Sequence, residues 1–139
     1  MPKTERLIAV LRIPGEPVGK QRHRMTFTGV TYTPQKTREK EEQIAWIAKE
    51  QGAKRTDGHV QATIDAWFKL PKSQMKNAAQ LVGKPCDKRP DIDNVFKLCL
   101  DALNGVCYED DRQVIEISGH KYWDTEPHID IVLKEVIYD

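Results

Sequence analysis

An α+β fold in a single compact domain, residues 1–139, is what this sequence predicts, and three observations carry the prediction. Residues 59–70 (HVQATIDAWFKL) alternate apolar and polar with period two, as a half-buried strand does. Residues 91–104 place Ile92, Val95, Phe96, Cys99, Ala102 and Leu103 at helical spacing. The remaining signals interleave as strand, helix, strand, two helices and two strands, with no repeat, low-complexity tract or linker to divide them. A chain of 139 residues is long enough for one real core and too short for two comfortable ones.

Arg6 to Ile13 (RLIAVLRI) reads as a strand closed by Pro14-Gly15. A loop rich in turn formers and cations follows: Gly15, Pro17, Gly19, then Lys20, Arg22, His23 and Arg24. Val30 to Thr33 has the composition of a short edge strand. Thr33 is placed to cap a helix with Pro34 at its first position, where the missing N–H costs nothing. That helix is expected to run to Gln51, bury Ile44, Ile47 and Ala48, and end at Gly52. In the strand of residues 59–70, Val60, Ala62, Ile64, Ala66, Phe68 and Leu70 share one side. Pro71 ends it, and Ser73 is expected to cap a short helix reaching about Val82. Gly83 to Pro90 (GKPCDKRP) is a basic loop in which Pro90 biases Arg89 towards an extended backbone. The helix of residues 91–104 has Gly105 as its stop. Val114–Tyr122 and His128–Ile137 read as two strands joined by a turn at Asp124-Thr125-Glu126-Pro127.

Composition excludes several classes. Hydrophobic content of 39% with 31% charged residues fits a soluble globular protein with a polar surface. No apolar run approaches the ~20 residues of a membrane span, and the short apolar run near the start contains Arg12, which argues against a signal peptide. Cys86, Cys99 and Cys107 are odd in number and lack CxxC spacing, so reduced thiols in a cytosolic protein are expected. His23, His59, His120 and His128 form no zinc spacing and read as surface or satisfied strand residues. The charge is near neutral overall but unevenly spread. Residues 1–90 carry 18 Lys+Arg against 9 Asp+Glu, and residues 91–139 carry 4 against 12. That asymmetry suggests a polyanion-binding face beside something that holds cations; the plainer alternative is two solvated faces that neutralise each other.

The acids concentrate in two pairs flanking the most apolar helix, RPDIDNVFK (89–97) and YEDD (108–111). If Asp91 caps the helix and Asp93 sits in its first turn, the break at the cap lets both carboxylates face the helix mouth. Lys97 lies one turn on, roughly 6 Å along the axis, and Asp101 one turn further. Each piece has an ordinary structural explanation: a cap, a dipole partner, i,i+4 ion pairs among Asp93, Lys97 and Asp101, and turn chemistry at Asp110-Asp111. Together they form a carboxylate cluster with a lysine, a donor set suited to hard cations such as Mg²⁺ or Mn²⁺.

The run KRPDIDNVFKLCLDALNGVCYEDDRQV (88–114) closely resembles the core motif of RusA-family Holliday junction resolvases, with every acidic spacing kept over 27 residues. GKQRHRMT and VTYTPQKTREKEEQIAW resemble the family's basic N-terminal loop and the helix after it. The resemblance implies a small homodimeric α+β endonuclease, a mixed sheet packed with helices, that nicks four-way DNA junctions in a Mg²⁺-dependent manner. It implies a bacterial or phage protein of the cytoplasm, without a membrane. By motif, Asp91, Asp93 and Asp111 correspond to the family's metal-binding acids, Asp110 to the adjacent acid, and Lys97 to its catalytic lysine. Arg89 stands where a lysine is commoner and keeps the charge. On this reading Lys20, Arg22, Arg24, Lys84, Lys88 and Arg89 neutralise DNA phosphates around an acidic centre that would otherwise repel them. Two rivals share parts of the pattern. A metal-dependent nuclease for flaps or other branched DNA would need the same acids, while a non-catalytic DNA-binding module would need the cations alone.

Overall fold

The alternating segment becomes β4 (His59–Lys69), an inner strand of a four-stranded sheet in a computed structural model that describes residues 2–21, 24–32 and 34–139. The sheet order is β1 (Lys3–Pro14), β6 (His128–Tyr138), β4, then β5 (Val114–Asp124). β6 runs antiparallel to both β1 and β4, whereas β5 is parallel to β4, so the sheet is mixed as expected. The final two strands are joined by a short turn, as their sequence predicts, but β4 lies between them and they do not pair. β4 and β6 carry the cleanest buried alternation, with Ile64 opposite Ile131 and Ala62 opposite Leu133, and take the inner positions. The β4 end is tied beneath the turn by the Leu70 N–H donating to the Asp124 carbonyl at 2.9 Å.

The helix after the basic loop, α1 (Gln35–Glu50), begins one residue later than expected. Pro34 is extended at φ −54°, ψ 140° and stands outside the helix as its cap residue, while Thr33 lies outside the described residues. Ile44 and Ala48 are fully buried as expected, and Gly52 turns the chain away at φ +71°. The anticipated edge strand is two residues long: β3 (Thr31–Tyr32) pairs only with β2 (Arg24–Met25), apart from the main sheet. Ser73 caps nothing. A 3₁₀ turn (Lys72–Asn77) starts directly after Pro71 and leads into α2 (Ala78–Leu81), because the extended Pro71 itself occupies the cap position.

The apolar segment forms α3 (Ile92–Ala102), burying Val95, Leu98, Cys99 and Ala102 against α1 and β4. The chain leaves it through Gly105, at φ +78°, whose N–H donates to the Tyr108 carbonyl at 2.7 Å. Tyr108 is wholly buried, and its hydroxyl donates to the Leu100 carbonyl on α3 at 2.5 Å. Cys86, Cys99 and Cys107 are all buried and unbridged, and burial pushes the Cys99 thiol up to about 12 and that of Cys107 up to about 11.

Across the sheet, Arg12, Asp130, Asp65 and His120 stand opposite one another in register. They pair as Arg12–Asp130 at 2.8 Å and His120–Asp65 at 3.1 Å. Beside this row, Trp67 stacks on His128 and packs against Tyr122. On the core face, Gly119 of β5 passes directly beneath α3. A Cβ there would meet a Phe96 ring carbon at 2.6 Å and collide with the Ile64 carbonyl. Gly119→Ala should therefore cost about 1–3 kcal/mol by overpacking, measured by urea unfolding. Ser118→Ala, at the exposed neighbour, should stay within ~0.5 kcal/mol. Equal stability of the two variants would refute this account of the α3–β5 contact.

Candidate active site

Two backbone approaches build the site. Gly19 in the basic loop lies so close to the start of α3 that a Cβ would sit 2.7 Å from the Pro90 Cβ and 3.0 Å from that of Asn94. The next residue is then pinned, its Lys20 N–H donating to the Asn94 carbonyl at 2.8 Å. Between loop and helix opens a cleft of about 370 Å³ whose lining includes Lys20, Lys36, Arg89, Asp91 and Asn94. Arg89 joins Pro90 through a cis peptide bond.

Asp91 holds the N-cap position of α3, with an extended backbone, yet its carboxylate makes no capping hydrogen bond. An aspartate at this position ordinarily accepts from a first-turn N–H. Here the side chain is exposed at the helix mouth, free to face a ligand. The Asp93 carboxylate accepts from the Asn94 N–H at 3.0 Å.

Lys97 departs from the expected ladder. Its Nζ turns to Asp101 Oδ1 at 3.1 Å and Asp111 Oδ2 at 3.6 Å rather than back to Asp93. The acid from the distant turn thus adds a second carboxylate to the one on α3. The other oxygen of Asp101 meets Lys20 Nζ at 3.2 Å, and Lys20 also bridges both oxygens of Glu41 on α1 at 3.1 Å. Charges therefore alternate along one chain: Glu41, Lys20, Asp101, Lys97, Asp111. Burial opposes ionisation of Asp101, but its hydrogen bonds to Asp111, Lys97 and Lys20 outweigh that and hold its carboxyl below the usual range. Asp111 goes the other way, raised by burial and by its hydrogen bond with Asp101. Lys97 is held more firmly protonated, first by the Asp101 hydrogen bond.

The turn that delivers Asp111 is anchored by Gln113. Its Oε1 accepts from the Glu109 and Asp110 N–H groups at 2.8 and 3.2 Å, and its Nε2 donates to the Thr56 and Gly58 carbonyls at 3.0 and 2.9 Å. Asp110 caps the short 3₁₀ turn Asp111–Gln113, accepting from the Arg112 N–H at 2.9 Å, which keeps its carboxyl low. It is thus committed to the backbone, while Asp111 points to the lysine.

Among the described residues, no three His, Cys, Asp or Glu side chains converge as a ready-made metal cage. The donor chemistry fits a hard divalent cation all the same. Asp91 is uncapped, Asp111 is a partly buried carboxylate, and no thiol or imidazole stands among Asp91, Asp93, Asp110 and Asp111. Lys84, Lys88 and Arg89 are exposed on the loop before α3, and Arg89 borders the cleft. Arg22 lies outside the described residues, as does His23, and the Arg24 backbone forms β2. Lys36, Glu41 and Gln113 were not singled out from the sequence. Gln113, two residues after Asp111, was the one with a local signal.

Carboxylates at a helix mouth, a lysine bound to the acid opposite, and cations along the adjoining cleft are the equipment of an enzyme that cuts nucleic-acid phosphodiesters. The profile of the family described as Endodeoxyribonuclease RusA matches residues 14–134, and the chain belongs to that family. It is thus an endodeoxyribonuclease, of a family whose members resolve Holliday junctions in DNA recombination and repair. The chain is also 29% identical over 132 residues to the Uncharacterized protein YqaN of Bacillus subtilis (strain 168), covering 88% of this chain and 92% of that one.

The free carboxylate of Asp91 and the anchoring amide of Gln113 should separate cleanly in stability. Asp91→Ala should unfold within ~0.5 kcal/mol of the wild type, since no capping hydrogen bond is lost. Gln113→Ala should cost about 1–3 kcal/mol, because it removes four hydrogen bonds to backbone groups, one of them to the buried Thr56 carbonyl. Denaturant titration checks both, and an Asp91→Ala destabilised by about 1 kcal/mol or more would mean that the side chain is a cap.

Proposed function

We propose that the protein resolves four-way DNA junctions by paired symmetric nicks, using Mg²⁺ or Mn²⁺ held by Asp91, Asp93 and Asp111 with Asp110 beside them. The observation that carries this reading is the uncapped Asp91 carboxylate at the α3 mouth, beside a cation-lined cleft. A bound divalent cation supplies acidified water and offsets charge on the in-line transition state. The chain's own residues do the rest. Lys97, half-exposed and firmly protonated, is suited to meet a phosphate oxygen or the leaving group as a point charge. Lys84, Lys88 and Arg89, with Arg22 and Arg24 of the basic loop, neutralise flanking phosphates. Among the described residues no helix is long and apolar enough to cross a membrane, and the bacterial cytoplasm, with a bacterial or phage gene, is the proposed setting.

Replacing Asp91, Asp93 or Asp111 with Asn should collapse cleavage while junction affinity persists or rises, because fewer negative charges oppose the phosphates. Lys97→Ala should abolish nicking with little change in affinity. Gel shifts beside nicking assays on junction, flap and linear duplex test this together with the substrate. Equal cutting of all three DNAs would point to a less selective nuclease, and normal nicking by Lys97→Ala would reduce that lysine to a salt bridge.

One chain offers one acidic centre, whereas a junction is resolved only when two opposed strands are cut. A two-fold homodimer meets that need. The apolar side of α3 is consumed in its own core, and the proposed dimer draws instead on apolar surface of the strands, where Leu7 and Val10 of β1 and Ile115 and Ile117 of β5 are exposed. Light scattering at micromolar concentration should give about twice the 16.0 kDa chain mass. A dimer of one wild-type and one Asp93→Asn subunit should nick one strand and release few resolved duplexes. A monomer that cuts both strands efficiently would sink the dimer.

A further inference from the structure

Lysine is a poor catalytic group unless something holds its flexible stem, and here the holding is visible. Asp101 gives each carboxylate oxygen to a different ammonium, Lys97 at 3.1 Å and Lys20 at 3.2 Å. Lys20 in turn straddles Glu41, with both contacts at 3.1 Å. Shelter gives out at Lys97. The Glu41, Asp101 and Lys20 side chains are 19%, 17% and 21% exposed, and that of Lys97 is 58% exposed. The anchored end is thus fixed between α1, the basic loop and α3, and the free end reaches the acids. A plain i,i+4 helix pair would need only Lys97 and Asp101; it would not need a second lysine from the loop or a glutamate from α1 to hold that lysine.

We infer that Asp101 is the positioning residue for Lys97, and that Lys20, clamped by Glu41, positions Asp101 instead of gripping DNA phosphate. The inference rests on the reading of Lys97 as the lysine that meets the reacting phosphate. It reassigns the Lys20 charge: all of its acidic partners are internal, and Lys36 and Arg89 remain as outward cations of the same cleft. Arrest of the Lys97 stem keeps its Nζ near Asp111 before substrate arrives, so less ordering is left for the reaction step.

The test uses the full chain and has two arms. Without metal or DNA, the rate of Lys97 acetylation is followed by peptide mass spectrometry, with exposed Lys84 as internal reference. Asp101→Asn should raise Lys97 labelling severalfold and leave Lys84 unchanged. With metal and a synthetic junction, the same variant should cut about tenfold or more slowly under single-turnover conditions, with unaltered junction affinity. Asp101→Glu should recover part of both effects. Lys20→Met should move both in the same direction by less, and should keep junction affinity and its salt slope. If Asp101→Asn fails to fold by circular dichroism, Lys20→Met and Glu41→Gln decide by the same measurements. Unchanged labelling and cutting in these variants would overturn the inference, as would a loss of affinity in step with rate. A wild type that leaves junctions uncut would defeat the proposed function, and the labelling arm would still decide whether Asp101 holds Lys97.

Discussion

Residue 19 is a glycine, and the site depends on it. With no Cβ between them, the basic loop and the mouth of α3 approach to a distance that any side chain would forbid. That approach lets the Lys20 backbone bind the Asn94 carbonyl while its ammonium reaches Asp101 about two turns further along the helix. The cation-rich first part of the chain and the acid-rich last part therefore meet at a bonded seam. Charge asymmetry by itself leaves open whether the two parts bind different things or neutralise each other. At this seam part of the charge is neutralised internally and part is left exposed. Lys20 is neutralised internally, whereas Lys84, Lys88 and Arg89 stay exposed on the approach to the acids.

Local periodicity made most of the fold legible. β4, α3, the interior of α1 and both terminal strands lie where their patterns indicate, because each pattern reports burial of one face, and burial is what the sheet and helices provide. Pairing was not legible to the same degree. Nothing within the sequences of β5 and β6 reveals that β4 will stand between them, since that outcome reflects how three strands share one apolar layer. The cap errors have a smaller cause. Pro34 and Pro71 have locked φ and extended ψ, and each takes the position just before its helix, so Pro34 falls outside α1 and Ser73 falls inside the turn.

The same division runs through the site. Which acids gather near α3 could be read from spacing, because a helix fixes Asp91, Asp93, Lys97 and Asp101 relative to one another. Which acid each lysine selects could not. Lys97 has an in-helix partner on either side and takes one of them, then adds Asp111 from a turn that tertiary structure delivers. Lys20 takes one partner 21 residues ahead and another on α3, a choice visible only once α1 and α3 are packed together. Gln113 falls between these cases: two of its four bonds are local, and the two to Thr56 and Gly58 join the acidic turn to the start of β4.

The two acidic pairs at first allow both a structural and a functional explanation, and the structure divides the labour within each pair. In the second pair, Asp110 is consumed as a cap, and the turn so stabilised carries Asp111 to the lysine. In the first pair, Asp93 receives a backbone N–H while Asp91, at the position where a cap is most useful, declines the role. A helix start that leaves its aspartate uncapped forgoes roughly 1 kcal/mol of available stabilisation. That concession fits a residue retained for what it faces and not for what it holds together, and it is made at the edge of the cleft where cations gather. Local stability withheld at a site and supplied around it, by Asp110, Gln113 and the Glu41–Lys20–Asp101 chain, is the pattern expected when carboxylates must stay available to a ligand.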